Sequence, residues 1–113
     1  MQNKDLTNHS PAERLWLWRR ADHLTQIAAA ARLGYGVKAY RAAEQGLRNG
    51  VTAPRRGKPT LGDLCALARR RAALGLVGTA QAVKVSKITL ISWEIRGDAR
   101  LIAFWEKKGF TFR

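Results

Sequence analysis

The sequence predicts an all-α fold made of two small helical units packed together, and three observations lead to this expectation. Residues that cap helices stand at several places immediately before runs with helical periodicity. Glycines follow several of these runs, where a helix ends in the left-handed conformation. Alternation of apolar and polar residues, which is typical of strands, stands out only at 110–113, and these residues are compatible with a short strand.

Composition narrows the class of protein further. The chain has 113 residues, a formal net charge of +13 and 46% hydrophobic residues, four of them tryptophan. This hydrophobic content is too high for a disordered basic tail, so we expect a folded core. No apolar stretch approaches the roughly 18 residues that a membrane span needs, and Asp5, Asn8 and Glu13 stand where a signal peptide would be apolar. We therefore expect a cytoplasmic protein with no membrane partner.

The positive charge is concentrated in the second half of the chain. Of the 21 lysines and arginines, 13 lie in residues 51–113, where only four of the eight acidic residues lie. Such a field attracts polyanions, and the commonest cytosolic polyanion is nucleic acid. The alternative is a solvated basic surface that serves solubility alone.

The cysteine and histidine content gives no reason to expect a metal or any other cofactor. Cys65 is the only cysteine, which excludes an intrachain disulfide, and a zinc site would have to combine His9 and His23 with carboxylates. Leucines surround Cys65 in the sequence, so we interpret it as a small buried hydrophobic residue.

The first helix has three independent start signals. Ser10 is a capping hydroxyl, Pro11 suits the first helical position, and Glu13 completes a capping box. We expect this helix to run to about His23.

Two more short helices follow, over 27–33 and 37–45. Thr25 caps the first of them, and Gly34 and Gly46 mark the ends of the two helices. Three short helices therefore precede residue 47.

Glycine, proline and basic residues fill 51–59, which we interpret as a linker. Beyond it, the same signals predict a helix capped by Thr60, a shorter segment at 78–84, and helices at 87–96 and 98–108.

The pattern in residues 24–46 fits a helix, a tight glycine turn and a second helix. Its defining residues are Leu24-Thr25-Gln26, Ala30, Leu33-Gly34, Tyr40 and Glu44-Gln45-Gly46. In these residues the chain resembles the lambda-repressor-like (Cro/repressor, XRE-type) helix-turn-helix family. In a helix-turn-helix the second helix enters the major groove of DNA while the first braces it across the backbone.

A second, partial copy of the same pattern lies in the other half of the chain. It consists of Ala80, Val83, Val85-Ser86, Leu90, Trp93-Glu94 and Gly97. Lys84 replaces the turn glycine of the first copy, no Thr-Gln pair opens the bracing helix, and the segment after Leu76 is shorter than the first copy would predict. We therefore expect a shorter or distorted bracing helix here.

The resemblance implies two tandem helix-turn-helix units, one at 10–50 and one at 60–113, joined by the basic linker at 51–59. It also implies a sequence-specific, double-stranded-DNA-binding transcriptional regulator, acting as a repressor or control protein of a bacterial or mobile-element operon and located with the nucleoid. A homodimer on two half-sites would be a usual way for such a protein to bind. No small-molecule substrate is expected.

In the first copy the resemblance places DNA contacts on Gln26, Lys38 and Arg41. Gln26 falls on the position of a phosphate-contacting glutamine, whose amide can also reach a base edge. Lys38 and Arg41 are the donors among the base-reading positions, and lysine or arginine commonly donates to guanine O6 and N7. The alternative is that both contact only phosphate or solvent.

In the second copy the corresponding exposed positions include Lys87, Thr89, Ser92 and Arg96. Ile88 and Ile91 lie among them. These isoleucines suit contacts with thymine methyl groups and a protein interface equally well.

The linker arginines Arg55 and Arg56 are expected to lie along the DNA backbone or in a minor groove, and a flexible solvated linker is the alternative.

The tryptophans suggest core packing more than base stacking. Trp18 and Trp93 fall on the predicted core faces, whereas Trp16 or Trp105 is expected at the surface as an oligomer contact.

Two other functions compete with DNA binding. One is a protein-interaction module, such as an antitoxin or a phage-encoded inhibitor, that uses the same fold to bind a partner. The other is a structured-RNA binder that follows phosphates without reading bases. An enzyme is not expected, because no nucleophile stands at informative spacing from His23 and no glycine-rich phosphate loop follows a strand.

Overall fold

The computed structural model describes residues 4–54 and 57–113, and these residues form seven α-helices. The helices are α1 (Pro11–Ala21), α2 (Gln26–Leu33), α3 (Val37–Glu44), α4 (Leu61–Arg71), α5 (Leu76–Val83), α6 (Lys87–Arg96) and α7 (Ala99–Lys107). None of them combines the length and the apolar character that crossing a membrane requires. The prediction of a mostly helical protein is confirmed.

The helices divide between two compact units. One unit, here called the N-terminal unit, is His9–Lys58 and contains α1 to α3. The other, here called the C-terminal unit, joins Met1–Asn8 to Pro59–Arg113 and contains α4 to α7. Residues 4–8 thus belong to the C-terminal unit, although they precede the N-terminal unit in the chain.

Most predicted helix starts are confirmed at their caps. Ser10 and Thr60 each accept a hydrogen bond from the backbone three residues ahead, at 3.1 Å, and each forms a complete capping box. Thr25 and Ser86 cap α2 and α6 in the same way, without the reciprocal carboxylate. These hydroxyls satisfy amide groups that the first helical turn leaves without a carbonyl partner.

The first three helices of the two units are related by a spacing of 50 residues. Equivalent helices begin at Pro11 and Leu61, at Gln26 and Leu76, and at Val37 and Lys87. The chain turns also match, because the residues with positive φ before and after the second helix are His23 and Gly34 in one unit and Ala73 and Lys84 in the other.

The prediction of a shortened or distorted bracing helix in the second copy is therefore wrong. Helix α5 has eight residues, as α2 has, and it begins at Leu76 rather than at Gly78. Lys84 adopts a φ of 61°, close to the conformation of Gly34, and ends α5 in the left-handed region. The hydrogen bond from the Val85 amide to the Ala80 carbonyl, at 3.0 Å, closes this end of the helix. A lysine in the left-handed conformation costs about 1–2 kcal/mol, and the packing of the unit offsets this cost.

The core of the N-terminal unit lies among its three helices. It contains seven buried hydrophobic residues, namely Leu15, Trp18, Ala29, Ala30, Tyr40, Ala43 and Val51. Several are alanines, whose small side chains allow the short helices to approach one another closely.

The C-terminal unit has a larger core, to which α7 and both ends of the unit contribute. Leu101 and Trp105 of α7 are buried, as are Leu6, Phe110 and Phe112. Trp105 is 1% exposed, so the prediction that it or Trp16 lies at the surface is wrong for Trp105, and Trp16 is half-buried. Trp105 is instead a core residue with Phe104 and Phe110 packed edge-on against its ring. Cys65 is buried, as predicted.

The C-terminal residues make a single bridge rather than the short strand that the sequence suggested. The Leu6 amide donates to the Thr111 carbonyl at 2.8 Å, and the Thr111 amide donates to the Lys4 carbonyl at 2.7 Å. The described residues contain no strand, because the segment that pairs with Thr111 turns away directly after Leu6.

Helix α4 approaches α6 at Gly62. A Cβ atom at this position would stand 1.8 Å from the backbone oxygen of Glu94, a distance that no packing rearrangement of side chains can relieve. The equivalent residue of the N-terminal unit is Ala12. Such a close approach of the first and third helices, which requires glycine, is therefore a feature of the C-terminal unit.

We expect Gly62→Ala to lower the free energy of unfolding of the C-terminal unit by at least about 2 kcal/mol, because the methyl group forces two helix backbones apart. The control is Gly78→Ala inside α5, where the new Cβ would meet only Leu74 at 3.6 Å. That variant is expected to gain about 0.5–1 kcal/mol from helix propensity. Thermal and urea unfolding measure both, and equal stability of the two variants would contradict the packing described.

Candidate nucleic-acid interface

Helix α3 has one buried side and one exposed side. Tyr40, Ala43 and Glu44 face the core of the N-terminal unit. Lys38 and Arg41 are exposed on the other side, one turn apart. The turn that leads into α3 contains Gly34, whose φ of 80° is the left-handed conformation that the sequence predicted there.

An ion pair fixes α3 against α1. The Arg19 Nε atom lies 2.6 Å from Glu44 Oε2, and Arg19 Nη2 donates to Glu44 Oε1 at 3.1 Å. The side chain of Glu44 is only 5% exposed, while that of Arg19 is 21% exposed. A buried carboxylate with a two-point contact to a guanidinium has one favourable orientation. The pair therefore sets which side of α3 faces outward.

The surroundings of Glu44 stabilise its charged form. Burial alone would raise the pKa of this carboxyl group, but hydrogen bonds from Arg19, Tyr40 and Gln26 outweigh burial and lower the pKa below its ordinary value. Burial, followed by the hydrogen bond to Glu44 and then by the charge of Glu44, raises the pKa of Tyr40. Glu44 is thus ionised and Tyr40 is neutral at physiological pH.

Gln26 links this buried network to the exposed side of α3. Its Nε2 atom donates to Glu44 Oε1 at 3.2 Å, and its Oε1 atom accepts a hydrogen bond from Arg41 Nε at 3.1 Å. Both ends of the Gln26 amide are therefore occupied within the protein. The bond to Arg41 orients an exposed guanidinium over the start of α2.

The structure thus joins Gln26 to Arg41 and places Lys38 one turn from Arg41 on the exposed side of α3. Gln26 is half-buried at the first position of α2, and Lys38 and Arg41 are exposed on α3. The sequence did not reveal the chain of contacts from Arg19 through Glu44 and Gln26 to Arg41. The only sequence signal for these contacts is an arginine and a glutamate 25 residues apart. This spacing is informative only when the packing of α1 against α3 is known.

The C-terminal unit repeats the ion pair but not the network beyond it. Arg69 Nε lies 2.8 Å from Glu94 Oε2, and Arg69 Nη2 donates to Glu94 Oε1 at 3.3 Å. Leu76 stands where the N-terminal unit has Gln26, so the amide link is lost.

The predicted DNA contacts of the second copy lie on α6 in different settings. Lys87 and Ser92 are exposed, whereas Thr89 is half-buried and accepts a hydrogen bond from the Ser86 hydroxyl at 2.9 Å. Arg96 is exposed at the end of the helix, where its Nη2 atom lies 3.5 Å from Asp98. Arg55 and Arg56, the predicted linker contacts, lie outside the described residues.

Three isoleucines occupy the middle of the exposed side of α6. Ile88, Ile91 and Ile95 are 81%, 38% and 74% exposed. Ile88 and Ile91 are the two that the sequence predicts to be exposed, and Ile95, one turn beyond Ile91, is not among them.

Comparison with known proteins adds no relative. Neither a protein-family model nor a curated protein nor a solved structure matches the chain.

We expect Glu44→Gln to lower the free energy of unfolding of the N-terminal unit by about 1–3 kcal/mol near neutral pH, because it leaves Arg19 without its charged partner. The pKa of Glu44 is lower in the folded protein than its ordinary value of 4.5. Its stabilising effect is therefore complete above pH 4.5 and disappears as the pH falls through the folded pKa. The difference between the natural protein and the variant should shrink accordingly in acid.

Urea unfolding at a series of pH values, with amide exchange of α1 and α3 as a local measurement, tests this expectation. Glu106→Gln is the control, because Glu106 is exposed on α7 of the other unit. A Glu44→Gln effect of the same size at every pH would contradict the role assigned to the carboxylate.

Proposed function

We propose that the chain is a sequence-specific, double-stranded-DNA-binding transcriptional regulator and that α3 is the helix that reads the bases. The observation that carries this proposal is the exposed side of α3, which presents Lys38 and Arg41 while the opposite side is fixed to the core by Glu44. An exposed helix with donors on its outer side matches the dimensions and chemistry of the major groove.

The two basic side chains supply the donors that guanine recognition needs. A lysine or an arginine can donate to guanine O6 and N7, and a good bidentate contact discriminates against a wrong base by about 1–3 kcal/mol. Ala39 and Ala42 lie next to them and are half-buried, which leaves methyl groups at hand for thymine. Helix α3 thus combines polar and apolar contacts suited to reading a base sequence.

Gln26 prepares the reading helix for binding. Because the Gln26 carbonyl oxygen holds Arg41 at 3.1 Å, the guanidinium is partly ordered before DNA arrives. Less conformational entropy is then lost on binding. Gln26 also stands at the start of α2, where the backbone amides of the first turn favour a phosphate group.

The net charge of +13 supports the same function. Long-range attraction raises the association rate with any nucleic acid, and phosphate neutralisation releases counterions. Duplex DNA is a better ligand than duplex RNA for a protruding helix, because the major groove of A-form RNA is too deep and narrow for side chains to read. Binding to an operator would regulate transcription by occupancy.

Selection from a pool of randomised DNA duplexes tests the assignment of α3. The natural protein should enrich a defined motif, and Lys38→Ala and Arg41→Ala should each lose preference at particular base pairs, by about 1–3 kcal/mol per position. Lys107→Ala, which removes the same charge from an exposed position of α7, should weaken binding to all sequences alike. If both α3 variants keep the full motif, the proposed reading helix is wrong.

Salt dependence separates base reading from simple attraction between polyelectrolytes. Affinity for random duplex should fall steeply with salt, with a logarithmic slope of about −0.9 for each phosphate neutralised. The advantage of the selected motif over random duplex should persist at higher salt, because base contacts release few counterions. Titrations at two or more salt concentrations measure this ratio, and a double-stranded RNA of the same length is the comparison ligand. Equal binding of the motif, random DNA and RNA at every salt concentration would contradict the proposal.

A further inference from the structure

The 50-residue spacing makes it possible to compare the exposed sides of α3 and α6 position by position. Ile88, Ile91 and Ile95 of α6 are equivalent to Lys38 and Arg41 of α3 and to Gln45, which directly follows α3. All six side chains are exposed or largely exposed, so the two helices present the same positions to their surroundings. Where the N-terminal unit carries two cations and an amide, the C-terminal unit carries three β-branched apolar side chains.

The isoleucines form one continuous stripe. At 100° per residue they fall within an arc of about 60° on α6, on the side opposite the buried residues Leu90 and Trp93. This stripe, Ile88-Ile91-Ile95, has the i, i+3, i+7 spacing at which one helix packs along another. Burial within the chain does not explain it, because Ile88 is 81% exposed and Ile95 is 74% exposed.

We propose that the isoleucine stripe of α6 is a self-association surface on which the stripe of a second copy of this chain packs, in a two-fold symmetric dimer. The stripe is self-complementary, because a two-fold axis near Ile91 would pair Ile88 of each copy with Ile95 of the other. This proposal goes beyond DNA binding by the N-terminal unit, and it uses no residue of α3.

The exposed area is of the right size for a weak dimer. The exposed parts of three isoleucines in two copies amount to roughly 700–800 Å², and neighbouring side chains on α6 would raise the total toward the ~1,000 Å² that a specific interface needs. An interface of this size belongs to the weak, transient class.

Charge lies at the ends of the stripe and not in its middle. The acidic residue of α6, Glu94, is buried in its ion pair with Arg69. Of the two cations on α6, Lys87 stands at the start of the helix and Arg96 near its end, where Asp98 lies 3.5 Å from Arg96 and 2.9 Å from Arg100. The middle of the surface is therefore apolar, and positive charge remains at its two ends. Phosphate groups need donors, which isoleucine side chains lack, whereas the stripe of a second copy can pack on them.

Sedimentation velocity over concentrations from low to several hundred micromolar tests the proposal. The natural protein should shift from monomer to dimer, and added salt should strengthen the dimer because it screens Lys87 and Arg96 of the two copies from each other. This salt dependence is opposite to that of DNA binding. A protein that is monomeric at all concentrations at both low and high salt would overturn the proposal.

The chain itself supplies the matched variant. Replacing the stripe by its α3 equivalents, as Ile88→Lys, Ile91→Arg and Ile95→Gln, changes only exposed positions, and the N-terminal unit already accommodates those residues there. The triple variant should keep its helical content and weaken dimerisation by about tenfold or more. Leu47→Gln, at a residue that is 77% exposed in the N-terminal unit, is the control and should dimerise normally. An unchanged dimer in the folded triple variant would overturn the proposal.

These measurements keep the two proposals distinguishable. Lys38→Ala and Arg41→Ala should lose base preference and retain the dimer, whereas the triple variant should lose the dimer and retain base preference on a single half-site. If the natural protein is monomeric and Ile88→Ala lowers the affinity for random duplex, the stripe binds DNA instead. That result would also overturn self-association.

Discussion

The ion pair between the first and third helix is the interaction on which each unit depends. Arg19–Glu44 and Arg69–Glu94 join residues 25 positions apart, at equivalent places in the two units. Removing a carboxylate from water costs several kcal/mol, and only a guanidinium in the correct orientation offsets this cost. The pair therefore contributes less to net stability than to selecting one rotation of the third helix. That rotation decides which side chains the helix exposes, and so the surface chemistry of each unit follows from it.

The two units conserve this constraint while their cores differ. Over the first three helices, 10–46 and 60–96, they share six identical positions, at Leu17, Arg19, Arg20, Leu24, Ala30 and Glu44 and their equivalents 50 residues later. The large core residues have exchanged places. Trp18 and Ala43 are buried in one unit, and Ala68 and Trp93 are buried at the equivalent positions of the other. A tryptophan on the third helix thus replaces a tryptophan on the first, which keeps the core volume similar, and cores tolerate such compensated changes best.

Local signals made much of the fold predictable from the sequence. A capping hydroxyl with a carboxylate three residues later, as at Ser10 and Thr60, acts within one helical turn, and both caps are present. The start of α5 was missed because its cap, Gly75, makes no side-chain hydrogen bond and so leaves no signature. The docking of Lys4 and Leu6 beside Thr111 was also missed, because nothing in a local pattern indicates a pairing across more than 100 residues.

For the candidate site, periodicity was enough to place Lys38 and Arg41 outside, since Tyr40 and Glu44 define the inner side of α3. The same periodicity could not reveal that the Gln26 amide joins Glu44 to Arg41, because that link depends on side-chain conformations from three helices. Sequence reasoning therefore identifies the members of the site and misses how they are held.

The arrangement also separates folding from recognition. Residues of different character stand at positions 38, 41 and 45 and their equivalents, which are exposed on the third helix or directly after it. They lie outside the buried cores, although Arg41 donates a hydrogen bond to Gln26. Exchanging a cation for an isoleucine at such exposed positions is expected to change stability little. Two copies of one scaffold can in this way present a basic helix and an apolar helix, and a difference in binding partner requires only a change of exposed side chains.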